Sequence, residues 1–286
     1  MKISEILKTK DITLSFEVFP PKKTDGMESV LEATEKIAAL NPDFMSVTYG
    51  AGGSNSRLTL EIASSLKRKY GITILPHLTC VSSTKEHVHH VLDELQKNGI
   101  ENIMALRGDL PADGRMVHDY TYASDLIRDI RAHSDLCIGG ACYPEGHIEC
   151  AHQDEDIDHL KEKADAGCDF LTTQMFFDNS ILYHFLYRIR EKGIELPVLA
   201  GIMPITNARQ LKRSVALSGT MVPRRFSMIV DRFGDDPDAM KQAGIIYASE
   251  QIIDLIAHGV THIHIYSMNK PEVAGGILNN LFAIIK

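Results

Sequence analysis

The sequence has no surplus of basic residues, which argues against a protein built to bind nucleic acid. Lys and Arg number 30 against 38 Asp and Glu, so the formal net charge is −8. A nucleic-acid binder needs a basic face that neutralises phosphates. A local basic patch could still exist around Arg209, Lys212, Arg213, Arg224 and Arg225. Lysines and arginines on helix surfaces are usually just solvated, and we prefer that interpretation. We therefore expect no nucleic acid among the partners.

Cysteine is scarce, and long apolar runs are missing. The five cysteines are an odd number at irregular spacing, which argues against a disulfide framework in a chain of this size. Cys137 and Cys142 have no second pair that would complete a zinc site. No segment has the length and apolarity of a membrane span, and the N-terminal stretch lacks the apolar core of a signal peptide. These absences predict a cytoplasmic protein with reduced thiols and no membrane partner.

What the sequence does contain is a repeated unit: a short apolar strand, a polar or glycine-containing end, and a helix. The predicted strands are 12–19, 44–49, 72–80, 102–107, 137–143, 170–177, 197–203 and 262–268, with a helical insertion at 223–259 before the last. Eight such units close a parallel barrel, a fold of roughly 250 residues. The 286 residues therefore predict an α/β protein whose single domain, 1–286, is a (β/α)8 TIM barrel with extra helices before the last strand.

Glu17 is the strongest single candidate for chemistry. Alternation along the first strand places Ser15 and Glu17 toward the barrel interior, and Pro20 then ends the strand near the mouth where active sites lie. Burial between aromatic neighbours is expected to raise the pKa of this carboxyl group towards neutrality, which suits a general acid. The competing interpretation is a buried glutamate paired with a lysine or arginine.

Other polar residues stand at the predicted strand ends. In Arg107-Gly108-Asp109 the arginine can bind phosphate, the glycine permits close approach of the backbone to a ligand, and the carboxylate can tune a ring. An internal ion pair between Arg107 and Asp109 is the competing interpretation. Gln174 suits a ligand with amide-like edges, such as a pterin or nicotinamide, unless it is a satisfied buried glutamine. Aromatic rings that could flank a flat ligand, or only plug the barrel, are Tyr49, Tyr122 and Tyr143.

A metal-dependent hydrolase on the same barrel is the alternative function. His77, His147 and Asp109 could be argued as ligands at the mouth. Barrel hydrolases of this kind commonly open with an H-x-H pair on the first strand, and this chain has Glu17 there. His262 and His264 do form H-x-H, but near the start of the last strand, at the end of the barrel that serves stability. We therefore predict no bound metal.

Taken together, these stretches resemble methylenetetrahydrofolate reductase of the short bacterial type. The matching segments run in order along essentially the full chain and include 15–21, 46–51, 76–80, 105–111, 143–145, 173–178 and 201–204. The resemblance implies a flavoenzyme with FAD in the barrel mouth. It would pass a hydride from NADH or NADPH through the flavin, in a ping-pong sequence, to 5,10-methylenetetrahydrofolate. The product, 5-methyltetrahydrofolate, feeds methionine synthesis, and we expect a homo-oligomer.

The resemblance also assigns roles by motif. Glu17 would be the general acid that opens the imidazolidine ring of the folate to a 5-iminium cation, and the charge of Asp109 would favour that cation. The folate would contact Asp109, Gln174, Gln210 and Lys270, with Gln174 also meeting the nicotinamide. The cofactor, with the nicotinamide nucleotide at Thr48, would be lined by Thr48, Tyr49, Ala51, His77, Arg107, Gly108, Asp109, Tyr122, Ala123, Tyr143, His147, Asp156 and Lys163.

Two positions depart from what the resemblance implies. Glu162 stands beside Lys163, where a second basic residue is expected near the FAD phosphates. Lys270 occupies a place where an arginine can serve the folate, and lysine keeps the charge without the bidentate geometry. The sequence ends just after the predicted barrel, so we expect no regulatory domain of the kind eukaryotic relatives carry.

Overall fold

Eight parallel strands form a closed barrel in which each strand neighbours the next and the last pairs with the first. The structure, a computed structural model, describes residues 1–21, 26–49, 56–81, 83–110 and 119–285. The strands are β1 Thr13–Val18, β2 Phe44–Val47, β3 Thr73–Thr79, β4 Asn102–Leu106, β5 Cys137–Cys142, β6 Phe170–Thr173, β7 Val198–Ile202 and β8 His262–Tyr266. The predicted (β/α)8 barrel is confirmed, and every strand lies inside its predicted range.

Helices surround the barrel in the order that the alternation predicts. They are α1 Ile3–Thr9, α2 Met27–Ala38, α3 Ser56–Tyr70, α4 Lys85–Lys97, α5 Ala123–His133, α6 Gln153–Asp165, α7 Asn179–Glu191, α8 Ala208–Ser218, α9 Arg224–Phe233, α10 Pro237–Ala257 and α11 Pro271–Leu281. Within the part of the chain that the structure describes, none of them has the length and apolarity to cross a bilayer.

The helices α9 and α10 are the predicted insertion before β8. The break between them is fixed by Asp236, whose side chain accepts hydrogen bonds from the backbone N–H groups of Asp238 and Ala239. Pro237 then occupies the first turn of α10, where its missing N–H leaves no intrahelical bond unmade. The insertion therefore lies outside the repeated strand–helix unit and leaves the barrel closed.

The main core lies between the strands and the surrounding helices. Outward-facing residues of β1 join it, and Phe16 and Val18 are fully buried there. Successive side chains of a strand point to opposite faces, so these residues leave Ser15 and Glu17 on the inner face, as the alternation predicts. The outer face thus supplies the packing energy, while the inner face is available to form a site.

The lower end of the barrel is closed by α1. Ile3 and Leu7 join a cluster of inward-facing residues made of Phe44, Leu75, Met104, Cys137, Phe170 and Leu199. The backbone N–H of Ile3 also donates a 2.7 Å hydrogen bond to the Oδ1 atom of Asn102. This apolar layer fills the end of the barrel at which the strands begin, so the accessible interior lies at the end where they finish.

Candidate active site

Two cavities meet at the C-terminal ends of the strands. The larger, of about 590 Å³, lies over β4 and β5 and beside α5 and α6. The smaller, of about 270 Å³, descends into the barrel interior. Leu106, Ala141 and Tyr143 line both, so the two cavities adjoin each other, and we call the larger the wide arm and the smaller the deep end of the site. Volumes of roughly 300–1,000 Å³ are typical of small-molecule and cofactor sites.

The structure brings most of the predicted site residues together. The wide arm is lined by Arg107, Gly108, Asp109, Tyr122, Ala123, Tyr143, His147, Asp156 and Lys163. The deep end is lined by Glu17, Thr48, His77, Tyr143 and Gln174. The lining of the two cavities does not include Tyr49, Gln210 or Lys270, and Ala51 lies outside the described residues.

Glu17 lies at the deep end between two histidines. Its Oε2 atom is 3.6 Å from Nε2 of His77 and 3.8 Å from Nε2 of His264, and the Ser46 hydroxyl lies 3.5 Å from the same oxygen. The Glu17 side chain is 18% exposed. The lysine or arginine of the competing interpretation is replaced here by the imidazoles of His77 and His264.

The pKa of Glu17 lies below its ordinary value, so the expectation of a raised pKa was wrong. Burial by itself raises the pKa, as expected. The imidazoles of His264 and His77, 3.8 and 3.6 Å away, and the hydroxyl of Ser46 outweigh it because they favour the charged carboxylate. Burial meanwhile lowers the pKa of His77. Glu17 therefore stands as a carboxylate and needs a change of environment to act as an acid.

His264 is a site residue that sequence reasoning missed, because its H-x-H motif was assigned to the stability end of the barrel. Its ring is 2% exposed, and its Nδ1 atom lies 2.7 Å from the Ser15 hydroxyl. Its Nε2 atom lies 3.2 Å from the hydroxyl of Ser46. A line of hydrogen-bonding groups thus runs from Ser15 through His264 and Ser46 to Glu17. The alternation that places Ser15 and Glu17 on the inner face of β1 was the one sequence feature that pointed to this site. Finding His264 also required the register of β8 against β1.

Arg107 lies at the wall of the wide arm, and its partner is Glu149. The Nη1 atom of Arg107 is 2.7 Å from Oε2 of Glu149, a pairing that raises the pKa of the guanidinium. Gly108 follows with a φ of 87°, and a Cβ atom there would lie 2.9 Å from the Cβ of Thr79. Only glycine fits this turn without strain. The turn sets the direction in which Arg107 and Asp109 leave β4.

Lys163 and Asp156 form the opposite wall, on α6. The Lys163 ammonium donates a 2.7 Å hydrogen bond to the carbonyl of Ala141, and burial lowers its pKa. Burial raises the pKa of Asp156, and the charge of Lys163 partly offsets that rise. His147 stacks edge-on against Tyr143 at 4.6 Å between ring centroids. Cationic groups and aromatic rings thus face the same arm, a donor set that fits a phosphate-bearing ligand with flat rings.

Residues outside the two cavities make contacts of their own. The Lys270 ammonium donates a 2.7 Å hydrogen bond to the Thr206 hydroxyl. The side-chain oxygen of Gln210 accepts from the backbone N–H of that threonine at 3.0 Å. Gln210 and Lys270 therefore share one partner at the mouth between β7 and β8. The Tyr49 hydroxyl lies 3.1 Å from Nε2 of His87 on α4.

Comparisons with known proteins identify the family of this chain. The sequence model of the family described as methylenetetrahydrofolate reductase matches residues 2–282. The chain belongs to the methylenetetrahydrofolate reductase family. Within the described residues, no group of three His, Cys, Asp or Glu side chains is arranged to hold a metal ion. The hydrolase alternative finds no support among the relatives.

Relatives in the methylenetetrahydrofolate reductase family differ in length. The chain is 33% identical over 270 residues to 5,10-methylenetetrahydrofolate reductase of Escherichia coli (strain K12), covering 94% of this chain and 90% of the relative. It is 35% identical over 297 residues to methylenetetrahydrofolate reductase (NADH) 1 of Arabidopsis thaliana, covering 98% of this chain and 50% of the relative. The chain therefore spans about half the length of the plant relatives it matches.

A solved structure shares the fold. An uncharacterized Clostridium thermocellum protein, described as binding two copies of 5-methyl-5,6,7,8-tetrahydrofolic acid, superposes with a TM-score of 0.70 over 98% of both chains. Its sequence identity is 14%, so the likeness concerns the architecture alone.

Proposed function

We propose that this chain reduces 5,10-methylenetetrahydrofolate to 5-methyltetrahydrofolate, with NADH or NADPH as reductant and FAD as bound cofactor, in two alternating half-reactions. The product would enter methionine synthesis. One observation carries the proposal. In a chain of this family, Glu17 lines the deep end of the site, and the deep end adjoins a wide arm of about 590 Å³ that suits a dinucleotide.

The wide arm would hold the cofactor. When bound, FAD accepts a hydride in one half-reaction and donates it in the other. Arg107, Lys163 and His147 would bind its phosphates, because they are the cationic or protonatable groups that face the arm near Tyr143. The start of α5 at Ala123 lines the same arm and adds backbone N–H groups and the positive end of a helix dipole.

The deep end would hold the reacting part of the folate. Gln174 lines it with a side chain that can both donate and accept hydrogen bonds, as a pterin edge requires. Gln210 and Lys270, joined through Thr206, would contact the folate farther out at the mouth. Thr48 and Gln174 would instead meet the nicotinamide in the other half-reaction, so both substrates would use the same opening in turn.

Glu17 would donate the proton that opens the methylene bridge of the folate. Folate in the mouth excludes water, and added desolvation raises the pKa of a carboxyl group. His77 and His264, both within 4 Å of Glu17, would hold and orient its carboxyl group. Asp109, exposed at the wall of the wide arm, would favour the cation that forms on the folate.

A flavin assay tests this proposal. Purified protein should be yellow, and its flavin absorbance should bleach anaerobically on addition of NADH or NADPH. Addition of methylenetetrahydrofolate should then restore the absorbance. A colourless but active protein would contradict the cofactor, whereas reduced flavin that methylenetetrahydrofolate leaves unoxidised would contradict the substrate.

A further inference from the structure

The charge pairing at the wall of the wide arm is unusual for a site that binds an anion. Arg107, whose guanidinium lines the arm, is already paired with Glu149 at 2.7 Å. The pairing lowers the pKa of Glu149, so this carboxylate is ionised throughout the physiological range. A phosphate arriving at Arg107 therefore meets an arginine whose charge another anion compensates.

The other groups that line the wide arm are also unfavourable for an anion. The groups facing it from β4, the β5–α6 loop and α6 include more carboxylates than permanent cations. Among the described residues the carboxylates are Asp109, Glu149, Glu155, Asp156 and Glu162, and the cations and imidazoles are Arg107, Lys163, His147 and His159. Lys163 is occupied with the carbonyl of Ala141. Of these described groups, Arg107 is thus the strongest phosphate ligand, provided that it is released.

Glu149 is placed so that it can release Arg107. It lies in the loop between β5 and α6, and its side chain is 48% exposed, against 26% for Arg107. Its backbone N–H donates to Nδ1 of His147 at 3.2 Å, which fixes the backbone and leaves the side chain to rotate into water. A half-exposed carboxylate loses little when water replaces its partner.

We propose that Glu149 is an internal counter-ion that a phosphate of the dinucleotide must displace from Arg107, and that it thereby sets the affinity of the site for phosphate-bearing ligands. The inference rests on the proposed FAD site. Before binding, Glu149 holds the guanidinium at the wall; after binding, Arg107 pairs with phosphate and Glu149 turns to solvent. No bond other than hydrogen bonds is made or broken.

The test compares Glu149→Gln with Glu155→Gln in apoprotein stripped of flavin. Both variants remove one carboxylate from the wall of the same arm, but Glu155 contacts the thiol of Cys150 and not Arg107. The probes are FAD, ADP and riboflavin, with dissociation constants measured by flavin fluorescence or calorimetry. Glu149→Gln should bind FAD and ADP about fivefold more tightly than wild type, the scale of an exposed ion pair. Riboflavin, which lacks phosphate, should bind unchanged.

The control and a second background make the outcome decisive. Glu155→Gln should tighten binding clearly less, and in an Arg107→Gln background the gain from Glu149→Gln should vanish. Equal gains from the two glutamine variants, or weaker binding by Glu149→Gln, would overturn the inference. Wild-type apoprotein that binds ADP but not FAD would contradict the proposed cofactor, and the ADP series would still decide the role of Glu149.

Discussion

At the scale of single residues, replacing Glu17 should affect the two proposed half-reactions differently. Hydride transfer from nicotinamide to flavin needs no proton for the folate, whereas opening the methylene bridge does. Glu17→Gln keeps the shape and removes the proton, so anaerobic flavin reduction should stay within about tenfold of wild type. Folate reduction should fall by roughly 10²- to 10⁴-fold, the typical loss of a general acid. Stopped-flow absorbance measures each step, and equal damage to both would mean that Glu17 only shapes the cavity.

Asp109 is exposed at the wall of the wide arm, so its charge can act on bound groups without first being desolvated. A nearby negative charge disfavours a reduced flavin anion and favours a cation on the folate. Asp109→Asn should therefore raise the flavin reduction potential and slow folate reduction more than NADH oxidation. Redox titration and stopped-flow kinetics test both points. An unchanged potential with equal losses would indicate a merely structural aspartate.

If His147 binds a phosphate of FAD as proposed, the affinity for FAD should depend on pH. Burial lowers its pKa from the ordinary 6.5, and the charge of Arg107 lowers it further. A phosphate beside the ring would raise that pKa, so binding takes up a proton. The affinity for FAD should consequently increase as the pH falls through the interval between the two pKa values, by at most about tenfold per pH unit. His147→Gln should flatten this dependence in fluorescence titrations, and an unaltered slope would exclude His147 as the source.

At the scale of elements, the turn at Gly108 sets the direction in which Arg107 and Asp109 leave β4. Gly108→Ala would place a methyl group against Thr79 in a backbone with a φ of 87°, which L-residues adopt at a cost of about 1–2 kcal/mol before any clash. We expect lower thermal stability and loss of FAD on purification. Gly99→Ala is a matched control, because Gly99 has a φ of 67° and no atom within 4 Å of the added carbon. It should lose stability and keep FAD. Equal flavin retention in the two variants would show that the turn at Gly108 does not orient Arg107 and Asp109 for FAD binding.

Elements were predictable from local pattern, and contacts between them were not. Alternation within β1 was enough to place Ser15 and Glu17 on the inner face, because it depends only on neighbouring residues. The role of His264 was not accessible in this way. It depends on the register of β8 against β1, which sets Ser15 beside His264 and Glu17 beside Tyr266. That register is fixed by barrel closure over almost the whole chain.

At the scale of the whole molecule, the repeated strand–helix unit was enough to predict the barrel and the end of it at which the candidate site lies. The protonation and ion pairing of the residues in that site could not be predicted in this way. The lowered pKa of Glu17 depends on His77 and His264, which come from β3 and β8. The competing interpretation paired Arg107 with Asp109, two residues along the chain, whereas the ion pair that the structure shows is with Glu149 from the loop after β5. Burial can be estimated from pattern, but charge compensation requires knowing which distant groups meet.

The packing of α1 beneath the barrel has a kinetic consequence. Its partners belong to β2, β3, β4, β5, β6 and β7, so the first helix of the chain acquires its contacts only when nearly all of the barrel has assembled. Contacts formed after the rate-limiting barrier affect how fast a protein unfolds and hardly affect how fast it folds. Ile3→Ala, which empties a fully buried position, should cost about 2–5 kcal/mol and accelerate unfolding in denaturant-jump experiments while leaving the refolding rate nearly unchanged. Slower refolding at a constant unfolding rate would instead place α1 in the nucleus.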